Sequence, residues 1–76
     1  MNKEQRTQLL CQNVKFLREQ NGLTIKEMAQ ILDIPLASMK KLEDGILTKR
    51  VRVDIVYRID CYFNVGPKEL LSTSLK

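Results

Sequence analysis

Residues 24–45 read TIKEMAQILDIPLASMKKLEDG and contain the signals of two short helices. Thr24 followed three positions later by Glu27 is a capping box, which predicts a helix over residues 25–32. Pro35 ends that helix, because proline disfavours helical backbone in the residue before it, and opens a further helix over residues 36–43. Two short helices joined by a turn of about three residues are typical of a helix-turn-helix, whose second helix can enter the DNA major groove.

The residues before this stretch predict one more helix, over residues 4–20. They contain neither proline nor glycine, and Leu10, Val14 and Leu17 recur at the spacing of one helix face. Gly22 ends the helix, because glycine adopts the left-handed backbone common at helix C-termini, and Gly45 is expected to end the helix over residues 36–43 in the same way.

The residues after Gly45 predict a basic loop and two helices. The loop covers residues 46–51, and the fourth helix covers residues 53–63, with its buried face at Val56, Ile59 and Phe63. Asn64 is its expected left-handed stop. The fifth helix covers residues 67–72, and the tail 72–76 is expected to fray. With no credible strand, the predicted fold is all-α, a compact five-helix bundle in one domain over residues 1–76.

Composition excludes several classes of protein. The chain has 76 residues, a net charge of +4, two cysteines and no histidine. Two cysteines are too few for a small secreted disulfide scaffold, and without histidine or a Cys-x-x-Cys pair no ordinary zinc site can be assembled. The N-terminus has no apolar segment typical of a secretory signal. We therefore expect a cytoplasmic protein with no bound metal, no cofactor and no membrane association.

Catalysis is not expected. There is no histidine to act as general base, no glycine-rich phosphate loop, and no activating partner for Cys11 or Cys61. So short a chain has no room for a deep cavity, so no small-molecule substrate is expected. The aromatic side chains are interpreted as core and seam residues, namely Phe16, Tyr57, Tyr62 and Phe63.

Four segments together resemble the lambda-repressor-like, Cro/C1-type helix-turn-helix family, also called XRE-type. Residues 13–24 (NVKFLREQNGLT) resemble its first helix and turn, and residues 26–34 (KEMAQILDI) its second helix. Residues 38–45 (SMKKLEDG) resemble its recognition helix, and residues 56–71 its last two helices. The resemblance covers roughly residues 10–71 without a detectable insertion.

The resemblance implies a fold and several residue roles. Ala29 falls where the family packs its second and third helices closely. Arg18 and Glu43 fall where the family joins its first and third helices by an ion pair. Members commonly bind double-stranded DNA as two-fold dimers. The expected homodimer contact lies near the C-terminus, at Tyr62, Leu70 and Leu71, unless the two leucines are wholly intramolecular.

The basic charge predicts where DNA would bind. Between Lys40 and Arg52 there are five basic side chains and two acidic ones, most of the net charge of the protein. The expected phosphate contacts are Thr24, Lys40, Lys49, Arg50 and Arg52. The expected base contacts are Leu36, Ala37, Ser38 and Lys41, where the apolar residues would touch thymine methyl groups and the lysine would reach guanine.

An alternative function remains open at this point. Ile25, Leu36 and Ile31 occupy positions that are usually polar in the family, and an apolar surface there suits a protein partner. The sequence therefore allows two functional hypotheses. The protein is either a sequence-specific DNA-binding transcriptional regulator or a degenerate helix-turn-helix that serves as a protein interaction module.

Overall fold

The computed structural model describes residues 3–75; residues 1, 2 and 76, which the expected domain includes, lie outside the described range. The described chain forms five helices and no strand, which confirms the all-α class. In chain order they are α1 (Lys3–Gln20), α2 (Ile25–Leu32), α3 (Leu36–Glu43), α4 (Lys49–Phe63) and α5 (Pro67–Ser72). α2 packs on α3 and α4, while α1 packs on α3 and α5.

Each of the first three helices ends in a left-handed residue that allows its last carbonyl groups to be hydrogen-bonded. Gly22 and Gly45 have φ angles of 64° and 85°, as expected for glycine at these stops. Asp33 ends α2 with φ 56°, which is an uncommon conformation for a residue with a Cβ. It is held there because the backbone N–H groups of Asp33 and Ile34 donate to the carbonyls of Gln30 and Ala29.

The core is built from one face of each helix. α1 contributes Leu10, Cys11, Val14 and Leu17; α2 contributes Met28, Ala29 and Leu32; α3 contributes Met39 and Leu42; α4 contributes Ile55 and Ile59; α5 contributes Leu70. Ala29 is only 4% exposed where α2 meets α3, which leaves little room for a larger side chain.

The fourth helix differs from the prediction at its start and in its buried face. It begins at Lys49, not at residue 53, because the Thr48 hydroxyl accepts a hydrogen bond from the backbone N–H of Val51 and caps the helix. Lys49 and Arg50 therefore lie on the first turn of α4 and not in a loop. The buried pair is Ile55 and Ile59, whereas two residues predicted to be buried, Val56 and Phe63, are half-buried.

The tail after α5 is attached to α1 by Asn13, a buried polar residue. The Asn13 amide nitrogen donates to the carbonyls of Leu70 and Thr73, at 2.7 and 2.9 Å, and its oxygen accepts from the backbone N–H of Leu75 at 3.0 Å. The expected fraying is therefore wrong for residues 73–75; Lys76 lies outside the described residues. A buried amide with all these partners satisfied fixes α5 against α1.

Candidate nucleic-acid interface

The outer face of α3 is positioned by the residues on its inner face. Met39 and Leu42 are fully buried, and this fixes the rotation of the helix about its axis. The side of α3 opposite these two residues then faces outward. Four of the expected DNA contacts are exposed together on this surface, namely Leu36, Ala37, Lys40 and Lys41. They are spaced at i, i+1, i+4 and i+5, so they share one side of the helix.

Ser38, the fifth expected contact on α3, is half-buried beside Lys41. The two residues line one cleft together with Ile46, Leu47, Thr48 and Val51. The cleft joins the C-terminal half of α3 to the start of α4. The structure therefore brings the expected base-contacting lysine close to the cap of the next helix.

Glu43 lies at the end of α3 but faces α1. Arg18 donates to it from Nε at 2.9 Å and from Nη2 at 3.2 Å, and the two side chains are 15% and 10% exposed. The hydrogen bond to Glu43 raises the pKa of the Arg18 guanidinium, which is charged at any working pH. Arg18 Nη1 also donates to the carbonyl of Leu23, at 3.0 Å. The pair thus joins α1, the turn before α2, and α3. Because Glu43 is bonded to Arg18, one of the two acidic side chains between Lys40 and Arg52 is already neutralised.

Two threonines cap the helices that flank the outer face of α3. The Thr24 oxygen accepts from the N–H of Glu27 at 3.1 Å, and the Glu27 carboxylate accepts from the N–H of Thr24 at 2.9 Å. The backbone N–H of Thr24, and after it the Thr24 hydroxyl, stabilise the ionised carboxylate, so the pKa of Glu27 is lowered. Thr24 is exposed, and its hydroxyl, an expected phosphate contact, also interacts with the Glu27 carboxylate.

Thr48 was not among the expected site residues, although it caps α4 directly before Lys49 and Arg50. All three side chains are exposed. A threonine before a helix start is a weak signal on its own, and here no glutamate follows three positions later to complete a capping box.

Arg52 lines a cleft that none of the other expected phosphate contacts lines. It is half-buried and lines a cleft with Arg6, Lys68, Leu71 and Ser72, which belong to α1 and α5. No residue of α2 or α3 lines this cleft. Because residues two positions apart in a helix do not face each other, Arg50 and Arg52 point to different sides of α4, whereas Lys49 and Arg52, three positions apart, are neighbours on its surface.

The apolar residues near α3 are less exposed than their positions in the sequence indicate. Ile25 and Ile31 are half-buried and pack against the core cluster. Leu36 is 40% exposed. Ile46, in the cleft beside Lys41, is 59% exposed, so the apolar side chains available to a partner near α3 are Leu36 and Ile46 rather than Ile25 and Ile31.

The residues expected at a dimer contact fall into three environments. Leu70 is fully buried within the chain, so it has no surface to offer a second copy, and its assignment to the interface is corrected. Leu71 is half-buried in the cleft with Arg52. Tyr62 is 64% exposed and stacks edge-on against Phe63, with ring centroids 5.0 Å apart. Tyr57 is 67% exposed. Contrary to the expectation, neither tyrosine belongs to the core.

The next features concern metal sites, membrane spans and cysteines in the part of the chain that the structure describes. Within residues 3–75, no group of three acidic or cysteine side chains is arranged to hold a metal ion. No helix in that range is long and apolar enough to cross a membrane. Cys11 is buried and Cys61 is exposed, and both are free thiols.

Comparison with known proteins identifies the fold. A family model described as a helix-turn-helix matches residues 14–70, a range that includes Arg18, Glu43 and the whole of α2, α3 and α4. Comparisons with curated proteins and with solved structures gave no match. The match spans most of the chain and includes the α2–α3 pair with its exposed basic side chains. The chain therefore belongs to the Cro/C1-type, or XRE-type, helix-turn-helix family, whose domains are DNA-binding regulators of transcription.

Proposed function

We propose that this protein is a sequence-specific regulator of transcription that inserts α3 into the major groove of double-stranded DNA as a two-fold dimer. Family membership supports DNA binding in general. The specific proposal rests on one observation. The outer side of α3 and the first turn of α4 present Lys40, Lys41, Lys49 and Arg50, all exposed.

These four cations have no acidic partner within the described chain. The ion pairs there are Arg18–Glu43 and Arg58–Asp33, and neither involves a side chain of this group. Unpaired cations on a convex helix face attract phosphates, and their counterions are released when DNA binds. The caps at Thr24 and Thr48 add helix N-termini whose positive dipole ends also favour phosphate.

Direct reading of bases would come from the N-terminal half of α3. Leu36 and Ala37 are placed to contact thymine methyl groups, and Lys41, one turn later, to donate to guanine O6 or N7. Ser38 is half-buried, so its short side chain would contact only a base that lies close to α3. No asparagine or glutamine lies on α3, so adenine has no bidentate partner there, and discrimination would draw on DNA shape as well.

The test is a fluorescence anisotropy titration of labelled duplexes at several salt concentrations, after selection of bound sequences from a random pool. Enrichment of a palindrome and a steep salt dependence are expected. Lys40→Gln should weaken binding to all duplexes alike and reduce the log-log salt slope by roughly 0.9. Lys41→Gln should instead reduce the preference for the selected sequence, by about 1–3 kcal/mol.

Lys15→Gln is the matched control, because Lys15 is an exposed lysine on α1. It removes the same charge and should leave the salt slope unchanged. If Lys15→Gln and Lys40→Gln weaken binding equally, the attraction is general and the placement of α3 in the groove is wrong. If no duplex binds even at low salt, the interaction-module function replaces this proposal.

The dimer contact is tested with two tyrosines of α4. Tyr62 and Tyr57 are similarly exposed but five residues apart, so they face different sides of the helix. Tyr62→Ser should dissociate the dimer in sedimentation experiments, whereas Tyr57→Ser should leave it intact. The reverse result moves the contact to the other side of α4, and a monomer at all concentrations contradicts dimerisation.

A further inference from the structure

We propose that the cleft between α1, α4 and α5 binds a phosphate group, at a place separate from the outer face of α3. The cleft has a volume of about 250 Å³ and is lined by Arg6, Arg52, Lys68, Leu71 and Ser72. Three of these five residues are cationic, and each comes from a different helix. This site is additional to the proposed DNA-reading surface and does not depend on it.

The charge of the cleft is unbalanced. No acidic side chain lines it, and within residues 3–75 the acidic groups that form ion pairs, Glu43 and Asp33, are engaged by Arg18 and Arg58. Like charges gathered in one concavity repel each other and concentrate counterions there. An anion in the cleft would therefore stabilise the folded chain.

The donor groups of the lining suit a phosphate group. Arg52 is half-buried, which limits the directions in which its guanidinium can point, while Arg6 and Lys68 are exposed. Arginine offers several donors in a planar fork that matches phosphate oxygens, and lysine adds a mobile charge. The Ser72 hydroxyl donates to the carbonyl of Lys68, so the cations supply the donors to the ligand.

The phosphate could come from two sources, a DNA backbone passing this side of the protein or a free phosphorylated small molecule. The first experiment uses inorganic phosphate and measures thermal unfolding by circular dichroism in phosphate and in chloride of equal ionic strength. About 20 mM phosphate should raise the melting temperature of the wild type by roughly 3–8 °C. Lys68→Gln and Arg6→Gln should each lose most of that shift.

Lys15→Gln is again the matched control and should keep the full shift, which separates binding at the cleft from the general stabilising effect of phosphate on proteins. Both test residues are exposed, so their substitution is not expected to prevent folding. If the two test variants respond to phosphate like the control, the proposal is overturned, whether or not the protein binds DNA.

The second experiment identifies the source. If the occupant is a DNA phosphate, Lys68→Gln should also reduce the log-log salt slope of duplex binding by roughly 0.9. If the occupant is a free phosphorylated molecule, the phosphate shift should be lost in Lys68→Gln while duplex binding stays unchanged. Failure of the protein to bind any duplex would contradict the proposed function alone, because the phosphate shift is measured without DNA.

Discussion

Arg18 holds Glu43 with two hydrogen bonds, from Nε to Oε2 at 2.9 Å and from Nη2 to Oε1 at 3.2 Å. Both side chains are largely buried. Removing one partner leaves the other charge without compensation in a site that water reaches poorly, so Glu43→Gln should lower the free energy of unfolding by about 2–4 kcal/mol. Urea denaturation followed by circular dichroism measures the change.

The exposed pair Arg58–Asp33 provides the control for that measurement. Its side chains are 48% and 77% exposed, with a nitrogen–oxygen distance of 3.3 Å. Asp33→Asn keeps a residue that tolerates the left-handed backbone and removes only the charge, so the change should be below about 0.5 kcal/mol. Equal losses in the two variants would mean that the Arg18–Glu43 pair has no special structural role.

Asn13→Asp should destabilise the protein although the two side chains have nearly the same shape. The carboxylate can still accept from the N–H of Leu75 but cannot donate to the carbonyls of Leu70 and Thr73, which would face it with lone pairs. A loss of about 2–4 kcal/mol in urea denaturation is expected. Asn21→Asp is the control, since the Asn21 amide bonds only the carbonyl of Leu17, at the exposed end of its own helix; a loss as large as that of Asn13→Asp would contradict this role.

The capping box should make stability depend on pH in the acidic range. The pKa of Glu27 is lowered in the folded state, first by the backbone N–H of Thr24 and then by its hydroxyl. Its contribution is therefore complete above the unfolded pKa of about 4.3 and is lost as the pH falls through the lower folded value. Stability curves of the wild type and Glu27→Gln should differ above about pH 5 and converge at lower pH. A constant difference between the two curves at every pH would contradict the assignment.

The two cysteines should react with thiol reagents at very different rates. Burial, followed by the nearby charge of Glu43, raises the pKa of the Cys11 thiol, and the residue is 4% exposed. Cys61 is exposed. A colorimetric disulfide reagent should modify one thiol quickly in the native protein and the second only on unfolding. Cys61→Ser should abolish the fast phase; a fast phase that persists would place Cys11 within reach of solvent.

Thr48→Ala should destabilise α4 and also weaken DNA binding, since it removes the cap before Lys49 and Arg50. The expected loss of unfolding free energy is about 1 kcal/mol. Thr48→Ser keeps the hydroxyl and should restore both properties. If Thr48→Ala changes neither stability nor affinity, the helical start at Lys49 has no bearing on the DNA-facing surface.

The start of α4 shows why part of this surface could not be predicted from the sequence. Lys49 and Arg50 in a first turn oppose the helix dipole, so local sequence favours a later start. The helix begins there because its turns carry Val51, Ile55 and Ile59 onto the core at intervals of four residues. Burial of that face outweighs an unfavourable end charge of less than about 1 kcal/mol.

The sequence was more informative where a local signal and the burial pattern agree. The capping box at Thr24, the glycine stops and the buried stripe of α3 could all be predicted, because each depends on residues a few positions apart. The contacts of Asn13 and the grouping of Arg52 with Arg6 and Lys68 could not, since they depend on how α5 returns to α1. Asn13 does lie three residues after Leu10 on the apolar face, and a polar residue in that position is a signal that a partner is needed.

The hydrogen bonds of Asn13 also bear on the order in which the protein can fold during synthesis. Leu70, which completes the core, and Leu75, whose amide occupies the Asn13 oxygen, are synthesised after α1 to α4. A nascent chain that has emerged from the ribosome only as far as α4 exposes the apolar face of α1 that α5 later covers. The α2–α3 unit can pair early, but closure of the bundle must wait until about residue 75 is free, which leaves an interval in which chaperones would find α1 uncovered.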